Sequence, residues 1–324
     1  MKKMGPAEAI NPVEIKVGVS SCLLGNKVRY DGRDKPNHYI IETLGRFLVF
    51  VPICPELEAG LGVPREAVRL AGDPDDLRLI GMQSGRDLTG RVTSYAARRL
   101  AMKDIDNLSG FILKANSPSC GLRRMKVYAD GRVVRNDGVG LFAAALMKAC
   151  PLLPVEDERG LLDADRGDNF IERVYAYYRL RSTFGRRYRR GEAVAFHAAA
   201  KYQILAHSPE HYRRMGRLVA TVKTMTPSRF AEQYGLLFMD ALRMRATRGK
   251  HANVLLHILG FLKKKIDADD RRRLVEAIDQ FRRGLTPLAA PLALLKFHIE
   301  KHGIAGLAGQ YYLDPYSGES RLRD

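Results

Sequence analysis

Three of the four cysteines in this sequence each follow a strand-like segment. Cys22 follows residues 14–20, Cys54 directly follows residues 47–53, and Cys120 follows a third such segment across the turn ANSPSC. In an open parallel sheet, the carboxyl ends of the strands lie along one edge, and ligands bind at that edge. Thiols that are 32 and then 66 residues apart along the chain can therefore meet in space.

Three thiolates form a soft ligand set that suits zinc or an iron–sulfur cluster. A structural zinc site normally takes four protein ligands, and a 4Fe–4S cluster usually takes four thiolates. Three ligands would leave one position open, either on a catalytic zinc or on one iron of a cluster. Three unrelated core cysteines are the remaining alternative. We expect Cys150, at the end of a helical segment before Pro151, to be a packed residue and not a fourth ligand.

Two polar residues lie beside these cysteines in the sequence. Glu56 comes two residues after Cys54 in CPELEAG, and Ser117 comes three residues before Cys120 in SPSCG. A carboxylate near a partly dry metal site can serve as an acid or a base near neutral pH. Taken singly, Glu56 is more often a solvated loop residue and Ser117 more often a turn-forming hydroxyl, but their position beside the thiols makes them candidate catalytic residues.

The first half of the chain alternates between strand-like and helix-like segments. The apolar run at residues 47–53 is typical of a buried parallel strand, and residues 88–106 have helical periodicity. An Asp-Gly pair at residues 130–131 separates two short apolar segments, which predicts a hairpin. This alternation predicts an α/β fold, with a Rossmann-like, mostly parallel sheet covered by helices.

The second half has helical composition and little strand signal. We therefore predict a tail at residues 1–13, an α/β domain at 14–157, a linker at 158–168 and an all-α domain at 169–324. Pro209 and Pro227 stand where helices are expected to begin.

The charge of the chain is strongly positive and uneven. The net charge is +18, and residues 169–324 alone hold 29 Lys and Arg against 14 Asp and Glu, a net charge of +15. A basic domain of this kind favours a nucleic-acid partner, RNA or DNA, over a membrane surface. The candidate RNA-binding residues are Arg186, Arg187, Arg189, Arg190, Arg245, Arg248 and Lys250.

Other features of the sequence bear on its location. The sequence contains no apolar run of 18 residues, and its start, MKKMGPAEAINPVE, lacks the apolar stretch of a secretory signal. With only four cysteines, the chain is not a disulfide scaffold. These features predict a cytoplasmic protein without a membrane span.

Three segments carry a resemblance to a known family. SSCLLGNKVRYDG, VPICPELEAGLGVPRE and LKANSPSCG resemble the signature segments of TudS-type thiouracil desulfidases. In the second half, KYQILAHS, RMRATRGKHANVLLHILGF and YYLDPYSGESRLRD resemble a helical domain of unknown function. The two domains occur fused in RudS-like proteins, which are bacterial desulfidases acting on 4-thiouridine in tRNA.

The resemblance implies a cofactor, site residues and a substrate. It implies a 4Fe–4S cluster held by Cys22, Cys54 and Cys120, with one open iron that takes up the sulfur of a thiolated pyrimidine. It assigns catalytic roles to Glu56 and Ser117, and tRNA binding to the second domain. The expected reaction gives uridine and hydrogen sulfide without net redox change. Two alternatives remain: a desulfidase of free thiolated bases, and an RNA-binding regulator with a structural or redox-sensing zinc or iron–sulfur site.

Overall fold

The structure is a computed structural model that describes residues 14–73, 76–307 and 309–316. The described chain divides into two compact units: the first contains residues 14–170 and Tyr316, and the second spans Ile171–Pro315. The predicted tail at residues 1–13 and the last residues of the YYLDPYSGESRLRD segment lie outside the described residues.

The first unit contains a four-stranded, fully parallel sheet. Its strands are β1 (Lys16–Ser20), β2 (Val49–Ile53), β5 (Leu108–Leu113) and β8 (Val155–Asp157), in the order β2-β1-β5-β8. All six residues of β5 are buried, as expected for a central strand with both faces covered. The chain runs from β1 outward to β2 and then returns to the other side of β1. The strand order therefore reverses between β1 and β5, which makes a crevice at their carboxyl ends.

A second, mixed sheet lies in the same unit. Its strands are β3 (Val68–Ala71), β4 (Arg78–Gly81), β6 (Met125–Ala129) and β7 (Arg132–Gly138), in the order β4-β3-β6-β7. The predicted hairpin is confirmed, since β6 and β7 pair antiparallel across Asp130 and Gly131. Both turn residues have positive φ, which the two-residue turns of hairpins require and which Asp and Gly tolerate.

Helices cover these sheets in the first unit. They are α1 (Thr89–Leu100), α2 (Lys103–Asp106) and α3 (Leu141–Ala149). Helix α1 buries Val92, Tyr95 and Ala96, which recur at the three- and four-residue spacing of one helix face. Val92 packs into an apolar cluster with Leu70, Leu79 and Val127 of the second sheet, so α1 closes the core beneath that sheet.

The second unit consists of helices. The helical region comprises α4 (Ala164–Phe184), α5 (Arg190–His207), α6 (Pro209–Ala220), α7 (Pro227–Arg243), α8 (Arg248–Leu262), α9 (Ala268–Arg282) and α10 (Ala289–Lys301). Pro209 and Pro227 begin helices as predicted, each after a capping hydroxyl that accepts a backbone N–H. The predicted fold class, an α/β sheet domain followed by helices only, is confirmed.

Some sequence predictions were wrong in detail. Strand β2 is parallel as predicted, but it lies at the sheet edge and is partly exposed, because β1 is its only partner among the described strands. The helix predicted over residues 88–106 is split into α1 and α2. Strands β3 and β8 were missed, because each is too short to show a clear period. The segment predicted as a linker, 158–168, contains a short helical turn and the first residues of α4, while the domain boundaries themselves stay predictions.

No helix within residues 14–73, 76–307 and 309–316 combines the length and the apolar character that a membrane span requires.

A buried ion pair links two helices of the second unit. Glu172 on α4 accepts hydrogen bonds from Gln203, at 2.9 Å, and from the ring of His207, at 3.1 Å. Burial alone would raise the pKa of Glu172, but the charge and hydrogen bonds of its partners outweigh burial and lower that pKa to about 2. Burial likewise lowers the pKa of His207, yet the Glu172 charge outweighs it and the net change is upward.

The pair predicts a bell-shaped pH dependence for stability. The lowered pKa of Glu172 stabilises the fold above its ordinary value of 4.5, and this contribution is lost as the pH falls toward 2. The raised pKa of His207 stabilises the fold below 6.5, and that contribution is lost as the pH rises past its folded value. We expect Glu172→Gln to lower the free energy of unfolding by about 3 kcal/mol in the pH range between these two limits, and by less at lower and at higher pH.

The melting temperatures of the wild type and of Glu172→Gln, measured from about pH 3 to 8, test this expectation. This range is roughly the window that the pKa shifts of Glu172 and His207 define. Glu210→Gln is the matched control, because Glu210 forms an exposed ion pair with Arg214 and should change the melting temperature little at any pH. A melting-temperature difference for Glu172→Gln that is flat over the whole range would contradict the pairing.

Candidate active site

The parallel sheet brings the three predicted cysteines to one cavity. Ser20 pairs with Ile53, so β1 and β2 end side by side, and β5 pairs with the other side of β1. Cys22, Cys54 and Cys120 follow these three ends and line a cavity of about 640 Å³. The cavity lies at the point where strand order reverses, as the sequence analysis expected.

The turn at Cys54 is held by a reciprocal pair of hydrogen bonds. The Cys54 N–H donates to Glu58 Oε1 at 2.7 Å, and the Glu58 N–H donates to the Cys54 carbonyl at 2.9 Å. The same carboxylate accepts the hydroxyl of Tyr95 at 2.6 Å, which ties the turn to α1. The backbone of Cys54 is thereby fixed from two elements.

The loop that carries Cys120 is fixed by the beginning of α3. The N–H groups of Leu141 and Phe142 donate to the carbonyls of Pro118 and Ser119, at 3.2 and 2.9 Å. These donors belong to the first turn of the helix and have no partner within it, so loop carbonyls satisfy them here. Gly140 permits the contact, because a Cβ at that position would lie 2.6 Å from the carbonyl of Ser119.

Cys22 and Cys120 are buried, and Cys54 is partly exposed. Burial raises the pKa of Cys22 to about 11, and the neighbouring Cys54 adds to the rise. Burial also raises the pKa of Cys54 and of Cys120, and the Cys120 thiol is influenced by both other thiols. A raised pKa keeps these thiols mostly protonated near neutral pH, and a metal centre bound among them would favour the thiolate form.

The donor set at the cavity consists of three soft sulfur atoms. In the described part of the chain, no three Cys, His, Asp or Glu side chains converge closely enough to hold one metal ion. Three soft sulfur donors around one cavity have the chemistry that an iron–sulfur cluster requires. Cys150 is half-buried and does not line the cavity.

Glu56 and Ser117 also line the cavity and face one another. Glu56 Oε1 lies 3.5 Å from Ser117 Oγ, a long hydrogen-bond distance. The oxygen of Ser117 accepts the N–H groups of Ser119 and Cys120, at 3.3 and 3.1 Å. Because a hydroxyl has two lone pairs and one proton, these two bonds direct the Ser117 proton toward Glu56.

The other oxygen of Glu56 is held by Arg65, a residue that the sequence analysis did not identify. Arg65 Nε and Nη2 both donate to Glu56 Oε2, at 3.0 and 2.6 Å. The two side chains are 7% and 12% exposed, so the pair is nearly dry. The only sequence signal was position, since Arg65 lies nine residues after Glu56 in the same quoted segment, VPICPELEAGLGVPRE.

The cavity walls are strongly cationic. Among its described lining residues, Glu56 is the one acidic side chain, whereas seven are basic: Arg29, Lys35, Arg65, Arg69, Lys114, Arg124 and Lys126. Arg65 pairs with Glu56, Lys114 with Glu158, and Arg29 more loosely, at 3.6 Å, with Asp31.

Strands β3 and β6 and the residues just before β6 contribute three of these cations, Arg69, Arg124 and Lys126. These three cations come from short segments, and β3 and β6 are far apart in the chain, so no local sequence pattern places them together.

The predicted RNA-binding arginines between α4 and α5 are exposed. Arg186, Arg187, Arg189 and Arg190 lie at or beside the junction of these two helices. The hydroxyl of Tyr188 donates to the Pro227 carbonyl at 2.6 Å, and its ring meets Phe184 edge-on, so this tyrosine packs within the unit. At this junction the arginines are therefore exposed to solvent, and the tyrosine between them holds the segment against the neighbouring helices.

Two of the remaining candidate RNA-binding residues, Arg248 and Lys250, make contacts between segments of the helical unit. Arg248 donates to the carbonyls of Phe281 and Thr286, and Lys250 donates to the carbonyls of His207 and Arg245. Both side chains thus join segments within the helical unit. Arg245 is exposed. Their roles in RNA binding stay predictions.

Sequence comparison relates each half of the chain to known proteins. The model of the 2-thiouracil desulfurase family matches residues 17–158, and that of a protein family of unknown function, DUF1722, matches residues 201–317. The uncharacterized protein YbgA of Escherichia coli (strain K12) is 31% identical over 157 residues, which cover 48% of this chain and 93% of YbgA. The uncharacterized protein YbbK of Bacillus subtilis (strain 168) is 38% identical over 108 residues, covering 32% of this chain and 71% of YbbK.

Structural comparison finds a solved protein described as a 4Fe–4S-dependent thiouracil desulfidase, TudS. It is 29% identical and covers 46% of this chain and 95% of its own, with a TM-score of 0.37.

Proposed function

Because the chain belongs to the 2-thiouracil desulfurase family through residues 17–158, we propose that it removes the sulfur from 4-thiouridine in tRNA and releases hydrogen sulfide. Family membership supplies the chemistry, desulfurisation of a thiolated pyrimidine. The observation that carries the proposal is one cavity that brings three thiols, two of them buried, together with Glu56 and Ser117.

The proposed cofactor is a 4Fe–4S cluster held by Cys22, Cys54 and Cys120. Two features support this choice. The three sulfur donors line one cavity, and the family to which the chain belongs acts on thiolated pyrimidines. When bound, the cluster supplies a Lewis-acidic iron without a protein ligand, which polarises the carbon–sulfur bond of the substrate.

The residues of the chain supply the proton transfers. The reaction exchanges the C=S group for C=O, with water as the oxygen source and hydrogen sulfide as the product, so no electrons are gained or lost overall. Glu56 Oε1 is the base that takes a proton from the attacking water and returns it to the departing sulfur or the ring nitrogen. Oε1 suits this role because both hydrogen bonds from Arg65 to Glu56 go to Oε2.

Ser117 has a positioning part in this scheme. Backbone N–H groups of Ser119 and Cys120 occupy its oxygen, so its proton is available as a donor and its lone pairs are not. Ser117 therefore orients Glu56 or the water between them, and Glu56 performs the proton transfer. The hydrogen-bond directions at the site support this division.

Charge supports a polynucleotide substrate over a free base. A free thiouracil has no phosphate, whereas the cavity walls carry seven Lys or Arg against one acid among the described lining residues. The chain beyond residue 168 adds a net charge of +15. Such a charge distribution attracts a phosphate backbone, and the target base would be turned out into the cavity.

The ligand assignment predicts a specific loss of the cluster. Cys22→Ser, Cys54→Ser and Cys120→Ser should each lose most of the iron and acid-labile sulfide of anaerobically purified protein, because a serine hydroxyl is a poor ligand for iron. Cys150→Ser is the matched control and should retain both. Iron and sulfide analysis, with the visible spectrum, measures the outcome; full iron in all three variants, or loss in the Cys150 control alone, would reject the assignment.

The catalytic assignment predicts a loss of turnover without a loss of cluster. Glu56→Gln should reduce sulfide release by about 100-fold or more, because it removes the general base. Ser117→Ala should reduce it less, since it removes only an orienting hydrogen bond. Both variants should keep normal iron content, which distinguishes a catalytic defect from loss of the cofactor.

Comparing two substrates tests the tRNA proposal. Sulfide release is measured side by side from tRNA that contains 4-thiouridine and from free 4-thiouracil. We expect a higher kcat/KM with tRNA. A preference for the free base would overturn the tRNA proposal, and tight tRNA binding without any turnover would favour a regulator instead.

The arginine junction predicts a salt-dependent contribution to tRNA affinity. Replacing Arg186, Arg187, Arg189 and Arg190 with glutamine should lower the slope of log K against log salt by about 0.9 for each duplex phosphate that the protein no longer neutralises. The matched control replaces Arg272 and Arg282, which are exposed but paired with Asp269 and Asp279. Equal slopes for the wild type and the junction variant would exclude these arginines from the RNA interface.

A further inference from the structure

We infer that Arg65 is a positioning residue of the reaction, fixing the Glu56 carboxylate so that Oε1 alone faces the substrate side of the cavity. This inference rests on the proposed function and adds a residue that acts through Glu56. Its evidence is a set of hydrogen bonds and the burial of both side chains.

The first observation is that the Arg65 fork binds one oxygen of Glu56. Nε and Nη2 both donate to Oε2, at 3.0 and 2.6 Å, and the remaining oxygen faces Ser117. A fork spread over both oxygens would occupy the carboxylate. A fork on one oxygen fixes the plane of the carboxylate and leaves the other oxygen open to the cavity.

The second observation is that Arg65 is itself anchored apart from Glu56. Its Nη1 atom donates to the carbonyls of Val28 and Gly62, at 3.1 and 2.9 Å, and its backbone N–H donates to the carbonyl of Tyr30 at 2.9 Å. These bonds hold the guanidinium in place independently of its contacts with the Glu56 carboxylate. With its side chain 7% exposed, little water competes for these bonds.

The third observation links Arg65 to the cysteine-bearing loops. The Val28 carbonyl that accepts from Arg65 also lies 3.9 Å from Cys54 Sγ, and Val28 belongs to the loop that follows Cys22. One guanidinium thus joins the loop after β1, the turn after β2 and the Glu56 carboxylate. A lysine cannot reproduce these bonds, because its single ammonium lacks the planar fork.

The test compares Arg65→Gln and Arg65→Lys with the wild type, using free 4-thiouracil so that RNA affinity has no influence, or saturating 4-thiouridine-containing tRNA if the wild type acts on tRNA alone. Turnover is expressed per intact cluster, from the iron content. We expect kcat per cluster to fall by about 100-fold, as for a misplaced catalytic group, with KM changed by less than about threefold. Added guanidinium ion should restore part of the missing kcat in Arg65→Gln.

A double-mutant cycle separates positioning from general stability. In a Glu56→Gln background, Arg65→Gln should add little further reduction, because the carboxylate that it positions is already absent. The matched control is Arg99→Gln. Arg99 is also a mostly buried arginine that forks onto a carboxylate, at 2.7 Å to each oxygen of Asp104, but it does not line the cavity.

Each outcome decides the matter. Normal kcat per cluster in Arg65→Gln, whether iron is retained or partly removed, would overturn the inference, as would reductions that simply add in the double mutant. A fall in kcat equal to that of Arg99→Gln would assign Arg65 a structural role only. If the wild type itself releases no sulfide from free base or tRNA, it is the proposed function that fails, which is a separate result.

Discussion

Parallel pairing of β1 with β2 and with β5 is the constraint on which the site depends. The pairing brings the carboxyl ends of three strands to one edge, and Ser20 opposite Ile53 sets the two thiol-bearing turns side by side. A one-residue slip of β2 would turn its side chains to the opposite face and move Cys54 along the edge. The cavity is therefore a consequence of strand register, and the loops only complete it.

Polar and charged groups buried at this edge of the sheet need partners, and the surrounding residues supply them. Dry thiols resist ionisation, and a dry carboxylate requires a partner. Arg65 supplies the partner for Glu56, and Lys114 pairs with Glu158, whose other oxygen accepts the Ala115 N–H at 2.6 Å. These pairs fix the turns that hold the thiols, because each joins a side chain to a backbone segment of the site.

The sequence was sufficient for features that are local or periodic. Strand-then-cysteine settings predicted that Cys22, Cys54 and Cys120 would share an edge, and the Asp-Gly pair predicted the hairpin. Arg65, Lys114 and the basic residues of β3 and β6 could not be found in this way. Their importance arises from contacts between segments distant in sequence, such as Lys114 with Glu158, 44 residues apart. Short strands such as β8 likewise become recognisable only through pairing with β5.

The same distinction applies to the basic residues of the helical unit. Sequence counts treat Arg186 and Arg248 alike, since both lie in dense basic stretches. Both are exposed, but the contacts of Arg186 are local, to the Ser182 carbonyl and to Glu192, whereas Arg248 binds the carbonyl of Phe281, 33 residues away, and lies over its ring at 5.3 Å. A guanidinium held in this way costs packing when it is removed, so its replacement would weaken the fold as well as any RNA binding. The net charge thus indicates a polyanionic partner. The contacts of each side chain indicate which of the cations are available to bind it.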